Sequence, residues 1–185
     1  ENKKLRELDF EGRINRLESE SNIIIAGIPP LQGENVEQFV NSCALAVGMN
    51  FKGEIDTCHR LPTRNMDRFP NIVVKLVRRS AKEEIIRRWK KKQPKVSHIG
   101  IRSSTGNDSR IYIEEHLAPR NAELFFKARC IRKKKNVKYL WTKDCKILAR
   151  IDDGEKVMVI TSEDDLRMLE ERSVIRTSTT KQSSS

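Results

Sequence analysis

The side chains of this sequence that could do chemistry are three histidines, four cysteines and a few adjacent acids. Cys58 directly precedes His59, but no second pair of Cys or His residues stands at the spacing of a zinc site. Asp152–Asp153 and the run 163–165 could supply carboxylates to a nuclease, yet turn and helix-capping roles explain them more simply. Phosphate-loop, dinucleotide-binding and GxSxG motifs are absent from the sequence. We therefore predict no enzymatic activity, no metal site and no cofactor.

Positive charge is the strongest chemical signal. The 185 residues include 37 Lys and Arg against 26 Asp and Glu, so the net charge is +11 at pH 7. Basic residues concentrate in two segments, 78–95 and 127–138, whereas acids concentrate at 114–115, 152–153 and 163–171. The excess alone does not separate nucleic acid from an acidic membrane surface or an acidic protein. Its segregation into two clusters favours nucleic acid over the simpler alternative, a solvated helix face.

The elements that position the first basic segment follow the order β-α-β-β-α-β within residues 21–116. The predicted strands are 22–28, 55–61, 71–77 and 110–114, with helices capped by Asn35 and Ser80 and the second ended by Pro94. This is the order of ferredoxin-like folds and of the RNA-recognition motif (RRM), but unrelated domains share it.

Base recognition by an RRM requires aromatic residues on two strands of its sheet. The predicted strands 22–28 and 71–77 have none, so we expect binding through charge and shape, largely independent of base sequence. Trp89, Tyr139 and Trp141 are the remaining stacking candidates, with packing in the core or on a strand surface as the alternative.

Residues 117–175 are predicted to form a small α-β-β-β-α domain, so the fold class is α+β. Ser162 and Asp165 have the spacing of a capping box at the start of its last helix. Residues 1–20 are predicted to form a charged helix, either the end of an oligomerising coiled coil or a lone helix packed on the next domain. Residues 176–185 lack an apolar pattern and are predicted to be disordered.

The sequence also bears on the location of the protein. No apolar run approaches the roughly 18 residues that a membrane span needs, so we predict no transmembrane segment. The start has neither Met nor a signal-peptide pattern, so we expect an excised fragment. Cys43, Cys58, Cys130 and Cys145 include no CxxC pair, which suits a reducing compartment, the cytoplasm or the nucleus.

Four motifs resemble the first-open-reading-frame protein of LINE-type retrotransposons. They are RLESESNIIIAGIP at 16–29, CHRLP at 58–62, NIVVK at 71–75 and IIRRW at 85–89. The resemblance implies a coiled coil, an RRM-like domain and a small C-terminal domain. It also implies a trimeric or otherwise oligomeric nucleic-acid-binding protein with chaperone-like activity, which coats its own transcript.

Three later motifs resemble the C-terminal domain of the baculovirus FP (few-polyhedra) family, which also occurs in insect proteins derived from retrotransposons. They are IYIEEHLAPR at 111–120, LFFKAR at 124–129 and YLWTKDCKILAR at 139–150. In the viral relatives the protein is linked to nucleocapsids and virion production. The family usually has Gly where Cys145 stands, in a turn conformation that glycine accepts more easily, which indicates a diverged copy.

The resemblance also assigns residues. Arg60 and Arg87 match positions that contact the RNA backbone in the retrotransposon family, and Arg129 and Arg150 are added from the C-terminal domain. Together with the basic segments, the predicted phosphate-binding set is Arg60, Arg78, Arg79, Arg87, Arg88, Lys91, Arg120, Arg129, Arg132, Lys133, Lys134, Lys135 and Arg150.

We expect these residues to line a basic cleft between the two domains and to bind single-stranded RNA or DNA, with homo-oligomerisation through the N-terminal helix. The alternative is a structural protein of viral or host assemblies with protein partners.

Overall fold

The computed structural model describes residues 20–63, 68–101, 108–135 and 137–182, and in 174–182 it describes only the helical backbone. The predicted N-terminal helix and its role in oligomerisation lie outside the described residues, apart from Glu20. The described chain divides into two compact units, one ending at His116 and the other starting at Leu117. Helices and antiparallel strands occur in both units, which confirms the predicted α+β class.

The first unit is a four-stranded antiparallel sheet with two helices, and its strands follow the order β2-β3-β1-β4. Its elements are β1 Asn22–Ala26, α1 Val36–Ala46, β2 Ile55–Arg60, β3 Ile72–Leu76, α2 Arg79–Lys92, a 3-10 helix Val96–Ile99 and β4 Tyr112–Glu115. The elements occur in the predicted order, but β4 begins later than predicted. Arg110 forms only an isolated bridge with Lys95, so regular pairing starts at Tyr112.

The core of this unit comes from one face of the sheet and one stripe of each helix. Ile23 and Ile25 on β1 are buried and Ile24 between them is half-buried, as expected where alternate side chains point to opposite faces. Cys43 on α1 and Ile85 on α2 belong to the same core cluster, so the prediction of Cys43 as a core residue is confirmed. Each such side chain contributes about 1.5–3 kcal/mol through burial.

The helix ends follow local signals with one exception. Asn35 caps α1 as predicted, its side chain accepting a hydrogen bond from the Gln38 amide at 3.2 Å. The prediction that Ser80 caps α2 is wrong, because Arg78 has the extended backbone of the N-cap and Ser80 lies within the first turn. The helix ends at Gln93, which has a left-handed φ of 46° and is followed by Pro94.

The second unit is a three-stranded antiparallel sheet, β5-β6-β7, with two helices. Its elements are α3 Pro119–Lys134, β5 Tyr139–Lys143, β6 Lys146–Arg150, β7 Met158–Ile160 and α4 Glu163–Gln182. Its core cluster joins Leu124 of α3, Ile147 and Ala149 of β6, and Leu166 and Leu169 of α4. The order is the predicted α-β-β-β-α.

The last helix starts where the sequence predicts and ends later. The Asp165 amide donates to Ser162 Oγ at 3.3 Å, and the Ser162 amide donates to Asp165 Oδ2 at 3.0 Å, so the capping box is present. The helix continues to Gln182, into the segment 176–185 whose composition predicts disorder. Once a helix is nucleated, each added residue gains one backbone hydrogen bond, so extension does not require an apolar pattern.

Candidate nucleic-acid interface

Arg60 lies at the end of β2 and uses its whole guanidinium within the protein. Nε and Nη2 donate to the two carboxylate oxygens of Glu34, the latter at 2.8 Å. Nη1 donates to the carbonyls of Ile28 at 3.1 Å and Pro70 at 2.7 Å, and Nη2 donates to the Pro29 carbonyl at 3.2 Å. All five N–H donors thus have partners. Phosphate binding by Arg60 would require breaking this network.

The ion pair with Arg60 changes the pKa of Glu34. The hydrogen bond from Arg60 lowers the pKa of the Glu34 carboxyl below its usual value of 4.5. Burial opposes this shift, and the hydrogen bond from the Leu31 amide at 3.1 Å adds to it. Glu34 is therefore held as a carboxylate that accepts hydrogen bonds from the arginine and from its own loop.

The first arginines of α2 form ion pairs at the surface. Arg78 is bound to the carboxylate of Glu54, with Nε at 3.0 Å from one oxygen. Arg79 donates to Glu83 at 3.1 Å, one turn along the helix, and lies 3.9 Å from Glu20. Because both arginines are exposed, a phosphate could replace the acid, but only by competing with it.

Arg87 and Arg88 share one acid. Glu84 accepts hydrogen bonds from Arg87 at 2.7 and 2.8 Å and from Arg88 at 2.6 Å. These bonds, that from Arg87 first, lower the pKa of Glu84 to about 2. Arg88 also donates to the Gly48 carbonyl at 2.7 Å, beside the C-terminal end of α1, where a positive charge is favourable.

Lys82 belongs to the first basic segment but is not on the surface. Its side chain is 3% exposed and its Nζ lies 3.0 Å from a carboxylate oxygen of Glu115, which is 7% exposed. The same Nζ donates to the Glu20 carbonyl at 2.8 Å. This lysine joins α2 to β4 and cannot reach a ligand.

The last turn of α2 differs from the rest of the helix. Lys90, Lys91 and Lys92 are exposed, and within the described part of the chain none of them forms an ion pair. Of these three only Lys91 is in the predicted set. Cations here interact favourably with the C-terminal end of the helix dipole, which accounts for their sequence position but not for three of them in succession.

The last turn of α3 repeats this pattern. Arg132, Lys133 and Lys134 are exposed, and no acid in the described residues pairs with them. The same holds for Lys135, which is half-buried, and for Arg120 at the exposed start of the helix. These five residues are in the predicted set, and the structure leaves their charges unneutralised.

Two other predicted residues of this unit contact aromatic rings. The guanidinium of Arg129 lies 4.8 Å from the centroid of Phe125, one turn earlier on α3. Arg150 lies 4.5 Å from the centroid of Tyr139, its directly opposed partner on β5, and 3.8 Å from Asp153.

Tyr112 is an exposed aromatic residue of the first unit that the sequence patterns did not single out. It is 55% exposed on edge strand β4, opposite Ala26 on the face of the sheet away from the core. It borders a pocket of about 250 Å³ that is also lined by Lys90 and Arg110. Alternation around buried Ile113 could have placed it outward. Trp89, by contrast, is 3% exposed and belongs to the core, so of the two alternatives left open for it, packing in the core is the one observed.

The described residues include no metal-binding cluster, no membrane-spanning helix and no disulfide. No group of three or more His, Cys, Asp or Glu side chains among them is arranged to hold a metal ion. Within the same ranges, no helix is both long and apolar enough to cross a bilayer. The four cysteines are thiols rather than disulfides. Burial raises the pKa of the Cys43 thiol to about 12, which makes it unreactive at neutral pH.

The second unit has a recognisable relative. Residues 118–170, from the start of α3 into α4, match the family model for baculovirus FP protein domain 2. This unit is similar to an FP domain. The match supports the predicted resemblance of this unit to the FP family, and we call residues 117–182 the FP-like unit. The predicted link to the retrotransposon protein stays a prediction. No curated protein is significantly similar to the chain.

Proposed function

We propose that this protein is a non-catalytic binding protein for single-stranded nucleic acid, with RNA as the first candidate, that contacts phosphates largely independently of base sequence. One observation carries the proposal: the last turns of α2 and α3 each hold three exposed cations without ion-pair partners among the described residues. A free cation can release the counterions of a phosphate backbone without first giving up an acid.

Ion pairing divides the predicted residues into two groups, apart from Arg129 and Arg150, which contact aromatic rings. Arg60, Arg78, Arg79, Arg87 and Arg88 have acidic partners in the first unit, whereas Lys91 and the α3 set Arg120, Arg132, Lys133, Lys134 and Lys135 do not. We assign phosphate contact to the second group and extend it with Lys90 and Lys92. A predominance of lysine suits this role, because a flexible point charge binds phosphates without fixing the orientation of the strand.

Finer features of the proposal have separate support. The strand order β2-β3-β1-β4 and the order of elements support an RRM-like interpretation of the first unit. The FP match supports a role of the viral FP type. A role of the retrotransposon type, chaperone-like rearrangement of strands and a location in the cytoplasm or nucleus stay predictions within this proposal. A basic cleft between the units and oligomerisation through residues 1–20 stay predictions.

The test is fluorescence anisotropy with a labelled oligo-uridine over a range of salt concentrations. We expect the affinity to fall steeply with salt and to change little when the base sequence is varied. Replacing Lys90, Lys91 and Lys92 with Ala should weaken binding to every sequence. The slope of log affinity against log salt should fall by about 0.7 for each phosphate that the variant no longer neutralises. Alanine preserves the helix, because it has the highest helix propensity.

A matched control lies on the same helix. Arg78, Arg79 and Arg87 are exposed but form ion pairs. Replacing them with Ala removes three positive charges, as many as the lysine variant loses. We expect this variant to lose less affinity than the lysine variant, and the variant of Arg132, Lys133 and Lys134 to behave like the lysine variant. Equal losses in the paired and unpaired variants would show that net charge alone governs binding. Salt-insensitive affinity would contradict the proposal.

The alternative function is that of an interaction protein in viral or host assemblies. Phe126 on α3, whose side chain is 66% exposed, is the residue at which this alternative can be tested. Under this alternative, a partner that copurifies with the protein should remain bound after nuclease treatment and should be lost on Phe126→Ala. Under the nucleic-acid proposal, nuclease should release it.

A further inference from the structure

The FP-like unit has one sheet face that its helices do not cover. The core cluster takes Ile147, Ala149 and Ile160 from the strands, with Leu140 and Met158 packed against it. Because side chains alternate along a strand, the residues between these point to the other face.

This outer face consists of directly opposed pairs from β5 and β6. In register, Tyr139 faces Arg150, Trp141 faces Leu148 and Lys143 faces Lys146, and Val159 of β7 continues the middle row beside Leu148. Opposed side chains on one face lie within contact distance. The face is therefore a strip with an apolar centre of Trp141, Leu148 and Val159 between a lysine pair and a stacked Tyr–Arg pair.

The centre of the strip is accessible. Val159 is 47% exposed, while Trp141 and Leu148 are half-buried and lie outside the core cluster. Trp141 is thus a flat aromatic group on a sheet surface, which is the position from which aromatic residues stack on nucleobases in other sheet proteins.

The charges at the two ends favour an anionic occupant. Lys143 and Lys146 are exposed and opposite each other, and in the described part of the chain neither has an acidic partner. Like charges in opposed positions destabilise a sheet, so this pair has a cost that a bound anion would relieve. At the other end, the Arg150 guanidinium lies 4.5 Å from the Tyr139 centroid. Among the described residues, the acid that pairs with Arg150 is Asp153, at 3.8 Å. Asp153 also accepts a hydrogen bond from the Tyr139 hydroxyl at 2.7 Å.

We propose that this face, the Trp141 strip, binds single-stranded nucleic acid by stacking at least one base on Trp141, with phosphates at the Lys143–Lys146 pair and at Arg150. The inference rests on the proposed function and changes it in one respect: binding has a base-dependent, sequence-tolerant component besides charge. An apolar protein surface would suit the centre of the strip but not its cationic ends, so nucleic acid is the better match.

The experiment compares two ligands on the whole chain. Oligothymidine of about 15 nucleotides and an abasic strand of equal length have the same phosphates, but only the first has bases to stack. We expect oligothymidine to bind about 5- to 150-fold more tightly, the range that loss of one stacked base corresponds to. The protein has two tryptophans, and Trp89 is buried with its Nε1 donating to the Ile111 carbonyl at 2.9 Å. Quenching of tryptophan fluorescence by oligothymidine but not by the abasic strand would therefore report on Trp141.

Variants separate stacking from folding. Trp141→Ala should reduce oligothymidine affinity to the level of the abasic strand, and Trp141→Phe should retain most of the preference. Phe126→Ala is the matched control, since it removes a more exposed aromatic residue of the same unit away from the sheet. Circular dichroism establishes that each variant folds.

Three results would overturn the inference. If both strands bind equally, with strong salt dependence and no quenching, stacking is absent and the proposed function stands. If neither strand binds, the proposed function fails and the inference fails with it. If Trp141→Ala leaves oligothymidine affinity unchanged but lowers the molar mass measured by light scattering, the strip is an interface between copies of the chain.

Discussion

Arg60 and Glu34 form a two-point ion pair that joins the end of β2 to the loop before α1. Arg60 is one of the two residues, with Arg87, that the retrotransposon resemblance implies as contacts to the RNA backbone. The Arg60 side chain is 13% exposed and that of Glu34 is 15% exposed. The remaining donors of Arg60 bind the carbonyls of Ile28, Pro29 and Pro70. In this chain the residue has a structural role.

Replacing Arg60 with Ala should lower the free energy of unfolding by about 2–4 kcal/mol, because it leaves a largely buried carboxylate without its cation and takes the arginine's donors from three carbonyls. Urea unfolding followed by circular dichroism measures this. Lys75→Ala is the control: both side chains of its ion pair with Asp56 are about half exposed, at 55% and 47%, so its loss should cost much less than that of Arg60. Similar costs for the two variants would refute the structural role of Arg60.

Stability should depend on pH through Glu34. Because the Arg60 hydrogen bond lowers the pKa of Glu34 in the folded state, this group contributes stability above its unfolded value of 4.5. That contribution disappears as the pH falls through the folded-state pKa. Unfolding midpoints of the wild type and Glu34→Gln should therefore differ most at neutral pH and converge on acidification. A difference that does not change between neutral pH and about pH 3 would contradict this.

The buried pair of Lys82 and Glu115 should show strong coupling. Removing either charge alone, as in Lys82→Met or Glu115→Leu, should cost about 3–5 kcal/mol because the other charge stays buried after losing this ion pair. Replacing both with apolar residues, Lys82→Met with Glu115→Leu, should cost much less than the sum. A double-mutant cycle by urea unfolding measures the coupling, and additive costs would show that the pair is not desolvated as the structure has it.

Gly27 combines a positive φ with close packing. Its φ is 93°, and a Cβ built there would lie 2.5 Å from the Arg110 carbonyl oxygen. Gly53, with φ of 77° and no atom within 4 Å of such a Cβ, is the matched control. Gly53→Ala should cost about 1–2 kcal/mol from the left-handed backbone alone. Gly27→Ala should cost at least about 1 kcal/mol more, because the backbone at Arg110 must shift. Equal unfolding free energies would exclude the steric contact.

The turn between β5 and β6 contains two residues with left-handed backbone, Asp144 with φ of 54° and Cys145 with φ of 57°. Both values fit the tight two-residue hairpin turn, in which glycine is favoured at the second position. Cys145→Gly and Cys145→Ala both remove the buried thiol, but only glycine removes the backbone strain. The glycine variant should be more stable than the alanine variant by about 1 kcal/mol in urea unfolding. The opposite order would indicate that the turn changes conformation.

Much of the fold could be predicted from local patterns. The β-branched runs around Ile24 and Val73, the Asn35 cap, Pro94 and the Ser162–Asp165 box specify where elements begin and end, because each acts within a few residues. The left-handed turn at Cys145 agrees with the expectation from the family resemblance, in which glycine usually stands at this position. The start of β4 and the length of α4 were not, because the first depends on pairing with a distant strand and the second on helix propagation.

The candidate site depended on tertiary structure. Composition counts every Lys and Arg alike, but neutralisation is decided by contacts between residues far apart in sequence. Glu34 reaches Arg60 across 26 positions, and Lys82 meets Glu115 only because α2 packs beside β4. The strip around Trp141 likewise exists because the β5–β6 register aligns Tyr139 with Arg150 and Lys143 with Lys146. The sequence therefore determined the presence and rough location of a basic surface, whereas packing and strand register decided which of its charges are free for a ligand.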